Sequence, residues 1–345
     1  METNQALVKK FALADFPLDS GETLTEGWLS YLQIGELNAA GDNLILLPTY
    51  YGGTHDGVLP WIGAGSPLDP EHYCLVIPNL IGNGVSVSPS NAGKHQAAAH
   101  FPRISLYDNV RAQKRLLEDR FADAAPALVM GWSMGGMQAL HWGALYPDRV
   151  QRLMSICATA RCWPHNQVFL AGVKAALTCD AAWQGGHYQL PPSTGLKAFG
   201  RVYAGWAYSQ AFYRQRLHRE LGLETLDDVL DYWEKDHLQQ DANNLLCVLD
   251  SWQQADISQL ADFAGDIEQA LACIRAPSII MPSNTDLYFT AEDATWEAAQ
   301  MPNAELRILD SDWGHIAGAP GRSPVDHRAI MAACADLLKR KGLAS

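Results

Sequence analysis

The sequence predicts an α/β fold: a mostly parallel sheet flanked by helices, with a helical insertion in the second half of the chain. Three observations carry this. Short unbroken apolar runs recur along the chain, helical patterns lie between them, and the alternation stops between about Ala160 and Ile274. Unbroken apolar runs suit strands covered on both faces, the situation of a parallel sheet with helices above and below. Alternating strands and helices imply crossover connections within one sheet.

The runs are Leu44–Leu47, Cys74–Ile77, Ala127–Met130, Leu153–Cys157, Ser278–Met281 and Leu306–Leu309, each bounded by Pro, Gly, Asn, Asp or Ser. A helix is expected over Asp108–Leu117 after the second run and over Met134–Tyr146 after the third. The last helix is expected to begin at Ser323-Pro324, with Ser as N-cap and Pro at the first helical position. Within the insertion, Thr225-x-x-Asp228 reads as a helix start ahead of Val229, Leu230, Tyr232 and Trp233. The insertion holds five of the eleven tryptophans: Trp163, Trp183, Trp206, Trp233 and Trp252. Most such residues serve as core or dimer contacts, and a minority wall an apolar pocket. The expected organisation is a core of residues 1–160 and 274–345, with residues 161–273 as a helical cap over the carboxyl ends of the strands.

Composition narrows the function. The chain has 345 residues, of which 48% are hydrophobic, enough for a sizeable core. Its 25 basic and 38 acidic residues give a net charge of −13, and no basic run offsets it. Such a chain repels phosphate backbones and anionic membranes, so neither nucleic acid nor a membrane is an expected partner. The seven scattered cysteines include no CxxC and fit reduced thiols in a cytoplasmic compartment. The amino-terminal stretch has an acid at Glu2 and no apolar core of a leader peptide. Ala124–Pro147 lacks Asp, Glu, Lys and Arg over a length that could span a bilayer. Its glycines, Gln138 and His141 mark it instead as strand, turn and buried helix.

The sharpest motif lies inside that stretch. Gly131-Trp132-Ser133-Met134-Gly135 fits G-x-S-x-G between an expected strand and an expected helix. A sharp strand-to-helix turn presents a serine hydroxyl above a sheet, and the helix start brings backbone N–H groups to it. A nucleophilic serine needs a base, and the base needs an orienting acid. In α/β-hydrolases these follow in the order Ser, Asp or Glu, His. Ser133, Asp286 and His315 satisfy the order, each just beyond a strand's carboxyl end. Asp310 and Asp312 are rival acids, closer to His315 in sequence, and His55, His100 and His141 are the other candidate site histidines. The oxyanion donors are expected to be the N–H groups of Met134 and of Tyr50, with Tyr51 as the alternative to Tyr50. Gly82-Asn83-Gly84 lacks the last glycine of a dinucleotide motif, since Val87 stands there. There is no P-loop and no HExxH, and His95 and His100 form no metal spacing, so no metal and no cofactor is expected.

The elbow Gly131-Trp-Ser-Met-Gly-Gly-Met-Gln-Ala-Leu140 and Tyr146-Pro-Asp-Arg-Val150 are similar to segments of the homoserine O-acetyltransferase-like branch of the α/β-hydrolase fold. So are Phe101-Pro102, Asp108-Asn-Val-Arg-Ala-Gln113, Asp241-Ala-Asn243 and Asp286-Leu287-Tyr288, and the resemblance covers most of the chain. It implies Ser133, Asp286 and His315 as the triad, and a homodimer formed through the cap. The chain departs from the acetyltransferases at two places. Ile316 follows His315 where homoserine-acylating members have an acid, and Pro48-Thr-Tyr-Tyr-Gly-Gly53 replaces a histidine-containing loop. Arg201 in the cap is a candidate carboxylate holder, and Tyr51, Trp132 and Ile316 are further candidate substrate contacts. The departures resemble the branch that hydrolyses short acyl esters such as acetates. The leading expectation is therefore a serine esterase acting on a small-molecule ester. Acyl transfer from acetyl-CoA to homoserine or another alcohol is the alternative, and a non-catalytic binding protein is the reading from outside enzymology.

Overall fold

In the computed structural model, which describes residues 8–343, all six apolar runs enter one eight-stranded sheet. The strands are β1 (Lys9–Pro17), β2 (Thr23–Ile34), β3 (Leu44–Leu46), β4 (Cys74–Pro78), β5 (Leu128–Trp132), β6 (Leu153–Ile156), β7 (Ser278–Met281) and β8 (Ala304–Leu306). Their order is β1-β2-β4-β3-β5-β6-β7-β8. The pairings β1–β2 and β2–β4 are antiparallel and all later ones are parallel. Glu2, on which the leader reading rests, lies outside the described residues.

Two strands escape the apolar-run criterion. β1 and β2 form a hairpin whose register shifts between Ala12 and Ala14 and again between Ala14 and Phe16. Ala14 and Glu26 both take positive φ at these irregularities. Bulges break the period-two pattern, so Phe11 and Leu13 alternate but Phe16 falls out of phase. The last run needs a correction: the expected strand Leu306–Leu309 is observed at Ala304–Leu306. Arg307 N–H still donates to the Ile280 carbonyl and Leu309 N–H to the Pro282 carbonyl. Pro282 has no N–H to return, so the ladder thins to a single bridge between Ser283 and Leu309.

Helices α1 (Leu106–Arg120) and α2 (Met134–Leu145) follow β4 and β5, and α9 (Ala291–Gln300) and α10 (Pro324–Lys339) follow β7 and β8. Between β6 and β7 the chain inserts α3 (Pro164–Thr178), α4 (Ser193–Ala207), α5 (Gln210–Arg214), α6 (Leu226–Leu238), α7 (Ala242–Gln253) and α8 (Ile267–Ala272), with no strand among them. Caps set the starts. Ser105 and Asp108 form a reciprocal capping box on α1, as Thr225 and Asp228 do on α6. Ser323 caps α10, with Pro324 at its first position. α1 starts before the expected Asp108 because that cap lies at Ser105, and it runs past the expected Leu117 to Arg120. Residues 124–147 resolve into a turn, β5 and α2, and no described helix is long and apolar enough to cross a membrane. All seven cysteines are free.

Candidate active site

β5 runs into α2 through Ser133, which holds φ 57° and ψ −131°. A non-glycine residue there is strained, and the surroundings must hold it in place. Ser133 N–H donates to the Ile156 carbonyl of β6 at 2.9 Å. The turn is so tight that a Cβ at Gly131 would lie 2.2 Å from the Gly135 carbonyl carbon. The hydroxyl thus stands at the carboxyl end of the central strands, where loops from β3, β7 and β8 converge.

His315 sits on a 3-10 turn over Gly314–Gly318, after β8. Its Nδ1 lies 2.7 Å from Asp286 Oδ2 and its Nε2 lies 3.0 Å from Ser133 Oγ. Asp286 Oδ1 accepts the N–H groups of Tyr288 and Phe289, each at 3.1 Å. A carboxylate only accepts, so Nδ1 carries the imidazole proton and Nε2 faces the serine hydroxyl as acceptor. The three side chains are buried, with residue exposures of 3% for Ser133, 6% for Asp286 and 2% for His315. The Trp132 indole N–H donates to the His315 carbonyl at 3.2 Å, and the Trp132 and His315 rings stack at 5.0 Å. Thr285 fixes the histidine loop by accepting Gly314 N–H at 3.1 Å and donating to the Ser311 carbonyl at 2.6 Å.

The other histidines and acids go elsewhere. Asp310 accepts from Asn284 at 2.7 Å and Asp312 from Gln215 at 2.6 Å. His55 faces Asn79, and His100 stacks at an angle on His187. His141 is fully buried and donates to the Met137 carbonyl at 2.8 Å, and burial pushes its pKa down to about 4.

A cavity of about 180 Å³ opens over Ser133 and His315. Tyr50, Tyr51, Trp132 and Ile316 all line it. Arg201 does not: it lies on the outer face of α4, its side chain half exposed, in an ion pair with Glu234 of α6. A lone cation on an inserted helix is as readily satisfied by a neighbouring helix as by a ligand, and here Glu234 takes it. Met134 is buried at the start of α2, and neither its N–H nor that of Tyr50 has an acceptor among the described residues. Tyr203, Tyr232, Trp233 and Tyr288 add to the aromatic wall, and of the five tryptophans of the insertion only Trp233 reaches it. Burial pushes the Tyr50 phenol up to about 12 and raises those of Tyr51, Tyr203 and Tyr288 as well, so these tyrosines stay uncharged. Asp236 and Arg322 also border the cavity, and both are exposed to solvent. Sequence reading missed Tyr203, Asp236 and Arg322 because their placement depends on how α4, α6 and the start of α10 pack. Among the described residues no group of three His, Cys, Asp or Glu is arranged to hold a metal ion.

A mostly parallel sheet with a serine on a strained strand-to-helix turn, a histidine beside it and an acid behind defines a hydrolase-type fold and site. Residues 42–320 match the family model described as alpha/beta hydrolase fold. The chain belongs to that family. It is 36% identical over 319 residues to an ethyl acetate hydrolase of Pseudomonas veronii, covering 91% of each chain. It is 31% identical over 321 residues to a homoserine O-acetyltransferase of Chlorobium chlorochromatii, covering 88% of each. The crystal structure of the acetyl esterase MekB superposes with a TM-score of 0.94 at 34% identity, covering 99% of both chains.

Proposed function

We propose that the protein is a serine esterase that hydrolyses short-chain esters, acetates foremost, through an acyl-enzyme. The observation that carries the reading is the placement of His315 between Ser133 Oγ and Asp286 Oδ2, at 3.0 and 2.7 Å. In the first step Ser133 Oγ attacks the ester carbonyl carbon while His315 Nε2 takes the hydroxyl proton. The carbonyl electron pair moves onto oxygen, and the Tyr50 and Met134 N–H groups receive the oxyanion. The intermediate collapses by breaking the bond to the alkoxy oxygen, and His315 returns the proton to the departing alcohol. Water then attacks the acyl-enzyme, giving its proton to His315, and the carboxylic acid leaves as Ser133 regains its hydrogen. Asp286 holds the tautomer and orientation of His315 throughout.

The uncharged aromatic wall supports a neutral substrate, and a volume of about 180 Å³ supports a small one. Ile316, directly beyond the base, adds apolar surface where an ammonium group would need an acid. One observation favours acyl transfer to an amino-acid alcohol instead: Asp236 and Arg322 carry opposite charges at the same cavity. Both lie at its solvent-exposed mouth, where water screens them and the acyl-enzyme is open to hydrolysis. The identities, 36% to the ethyl acetate hydrolase against 31% to the acetyltransferase, lean the same way. Ser133→Ala tests the reading: it should abolish turnover of ethyl acetate in a folded protein, and retained turnover would refute it.

A further inference from the structure

Resting on the serine-esterase reading, we propose that Gln138 is a positioning residue that aims the Tyr50 N–H at the oxyanion. The Thr49 carbonyl and the Tyr50 N–H belong to one planar trans peptide and point in opposite directions. Whatever holds the carbonyl therefore aims the N–H. Gln138 Nε2 donates to the Thr49 carbonyl at 2.8 Å and to the Met134 carbonyl at 3.1 Å. One amide thus ties the loop after β3 to the first turn of α2, and each of these segments supplies one expected donor. The loop and helix are also in direct contact, since a Cβ at Gly135 would lie 2.5 Å from the Pro48 carbonyl oxygen.

The direction in which Gln138 faces is dictated from further back. The Trp142 indole N–H can only donate, and it donates to Gln113 Oε1 at 2.7 Å. That turns Gln113 Nε2 toward Gln138 Oε1, at 2.6 Å. Gln138 is left with only its Nε2 to present to Thr49. Trp142, Gln113 and Gln138 are all fully buried, so no bulk water can take over a lost bond. A flipped Gln138 would set oxygen against the Thr49 and Met134 carbonyls and amide against amide at Gln113, forfeiting three buried hydrogen bonds. Donor polarity therefore runs one way, from Trp142 on α2 through Gln113 on α1 and back to the Thr49–Tyr50 peptide. None of the three relay side chains lines the cavity. The relay reaches the reacting atoms through that peptide and through its hold on the Met134 carbonyl.

The test compares the full chain with Gln138→Met and Gln113→Met, which remove the relay's donors at similar side-chain length. Three quantities are read: kcat and KM for ethyl acetate, the inhibition constant of a trifluoromethyl ketone, and Tm. The ketone adds Ser133 Oγ and places an oxyanion where the transition state does. Gln138→Met is expected to lower kcat about 10- to 100-fold with KM within about threefold, and to weaken the ketone in step with kcat/KM. Gln113→Met should show the same pattern at smaller amplitude. A folded Gln138→Met with wild-type kcat, or one whose loss in kcat leaves ketone affinity unchanged, would overturn the proposal. If Gln138→Met does not fold, Gln113→Met decides by the same criteria. Ser133→Ala separates the two levels. If it retains turnover, the esterase reading itself fails. If it is inactive while Gln138→Met matches wild type, only the relay fails.

Discussion

Gly135 and Pro48 approach so closely that a methyl group on Gly135 would sit 2.5 Å from the Pro48 carbonyl oxygen. This contact sets the loop after β3 against the start of α2 and fixes the spacing of the two expected oxyanion donors. Gly135→Ala must push the loop away. It should lose about 1–3 kcal/mol of stability through overpacking. It should also lose more than about tenfold in kcat, since a misplaced donor loses its transition-state contact. Chemical denaturation and steady-state kinetics on the same preparation check both.

Asp286→Asn keeps a side-chain oxygen for the Tyr288 and Phe289 N–H groups but turns an amide toward His315 Nδ1. The imidazole then favours the wrong tautomer, and kcat should fall by about 10⁴ with little change in Tm. Asp310→Asn and Asp312→Asn, whose partners are Asn284 and Gln215, should stay within about threefold of wild type. The opposite ranking would move the orienting role to one of those acids.

Glu297 gives stability one pH-dependent contribution. Its carboxyl on α9 accepts Ala160 N–H at 2.7 Å and the Trp163 indole N–H at 2.8 Å, pinning the chain where it enters the inserted helices. Burial outweighs these donors and raises its pKa to about 8. The unfolded chain ionises this group near the ordinary carboxylate value, so its neutral form is favoured by folding. The contribution is complete below about pH 4.5 and is lost as pH rises to about 8. Relative to Glu297→Gln, which does not titrate, the wild type should lose stability across that window. Denaturation curves at pH 5 and pH 8.5 for both proteins check the sign, and a difference that does not change with pH would contradict it.

The folding pattern was legible where burial is two-sided. β3 to β7 are short apolar runs because helices cover both faces, and their periodicity-free sequence announces that. β1 and β2 were not legible, because bulges at Ala14 and near Glu26 scramble the alternation of a one-sided hairpin. Ser133, Asp286 and His315 were legible because each sits at a fixed point beyond a strand, independent of distant packing. The part of the cavity wall that α4 and α6 supply was not. Whether Tyr203 or Arg201 of α4 faces the site depends on the rotation of that helix against α6, and Tyr203 faces in while Arg201 meets Glu234.

On the esterase reading, the cavity favours small acyl groups. A space of about 180 Å³ walled by Tyr51, Tyr203 and Tyr288 has little slack for a longer acyl chain. Across ethyl esters from acetate to octanoate, kcat/KM should fall by more than about tenfold, as each added methylene demands repacking. Arg322→Ala, at the mouth, should leave ethyl acetate hydrolysis within about threefold of wild type. A large loss there would bring the acyl-transfer reading forward.

The most direct test is product partition followed by NMR. The purified protein is given ethyl acetate alone and, separately, acetyl-CoA with L-homoserine, with Ser133→Ala beside it in both. A serine esterase releases acetate and ethanol from the first mixture, forms no O-acetylhomoserine in the second, and loses the first reaction in Ser133→Ala. Dominant, Ser133-dependent formation of O-acetylhomoserine would contradict that reading and make the protein an acyltransferase.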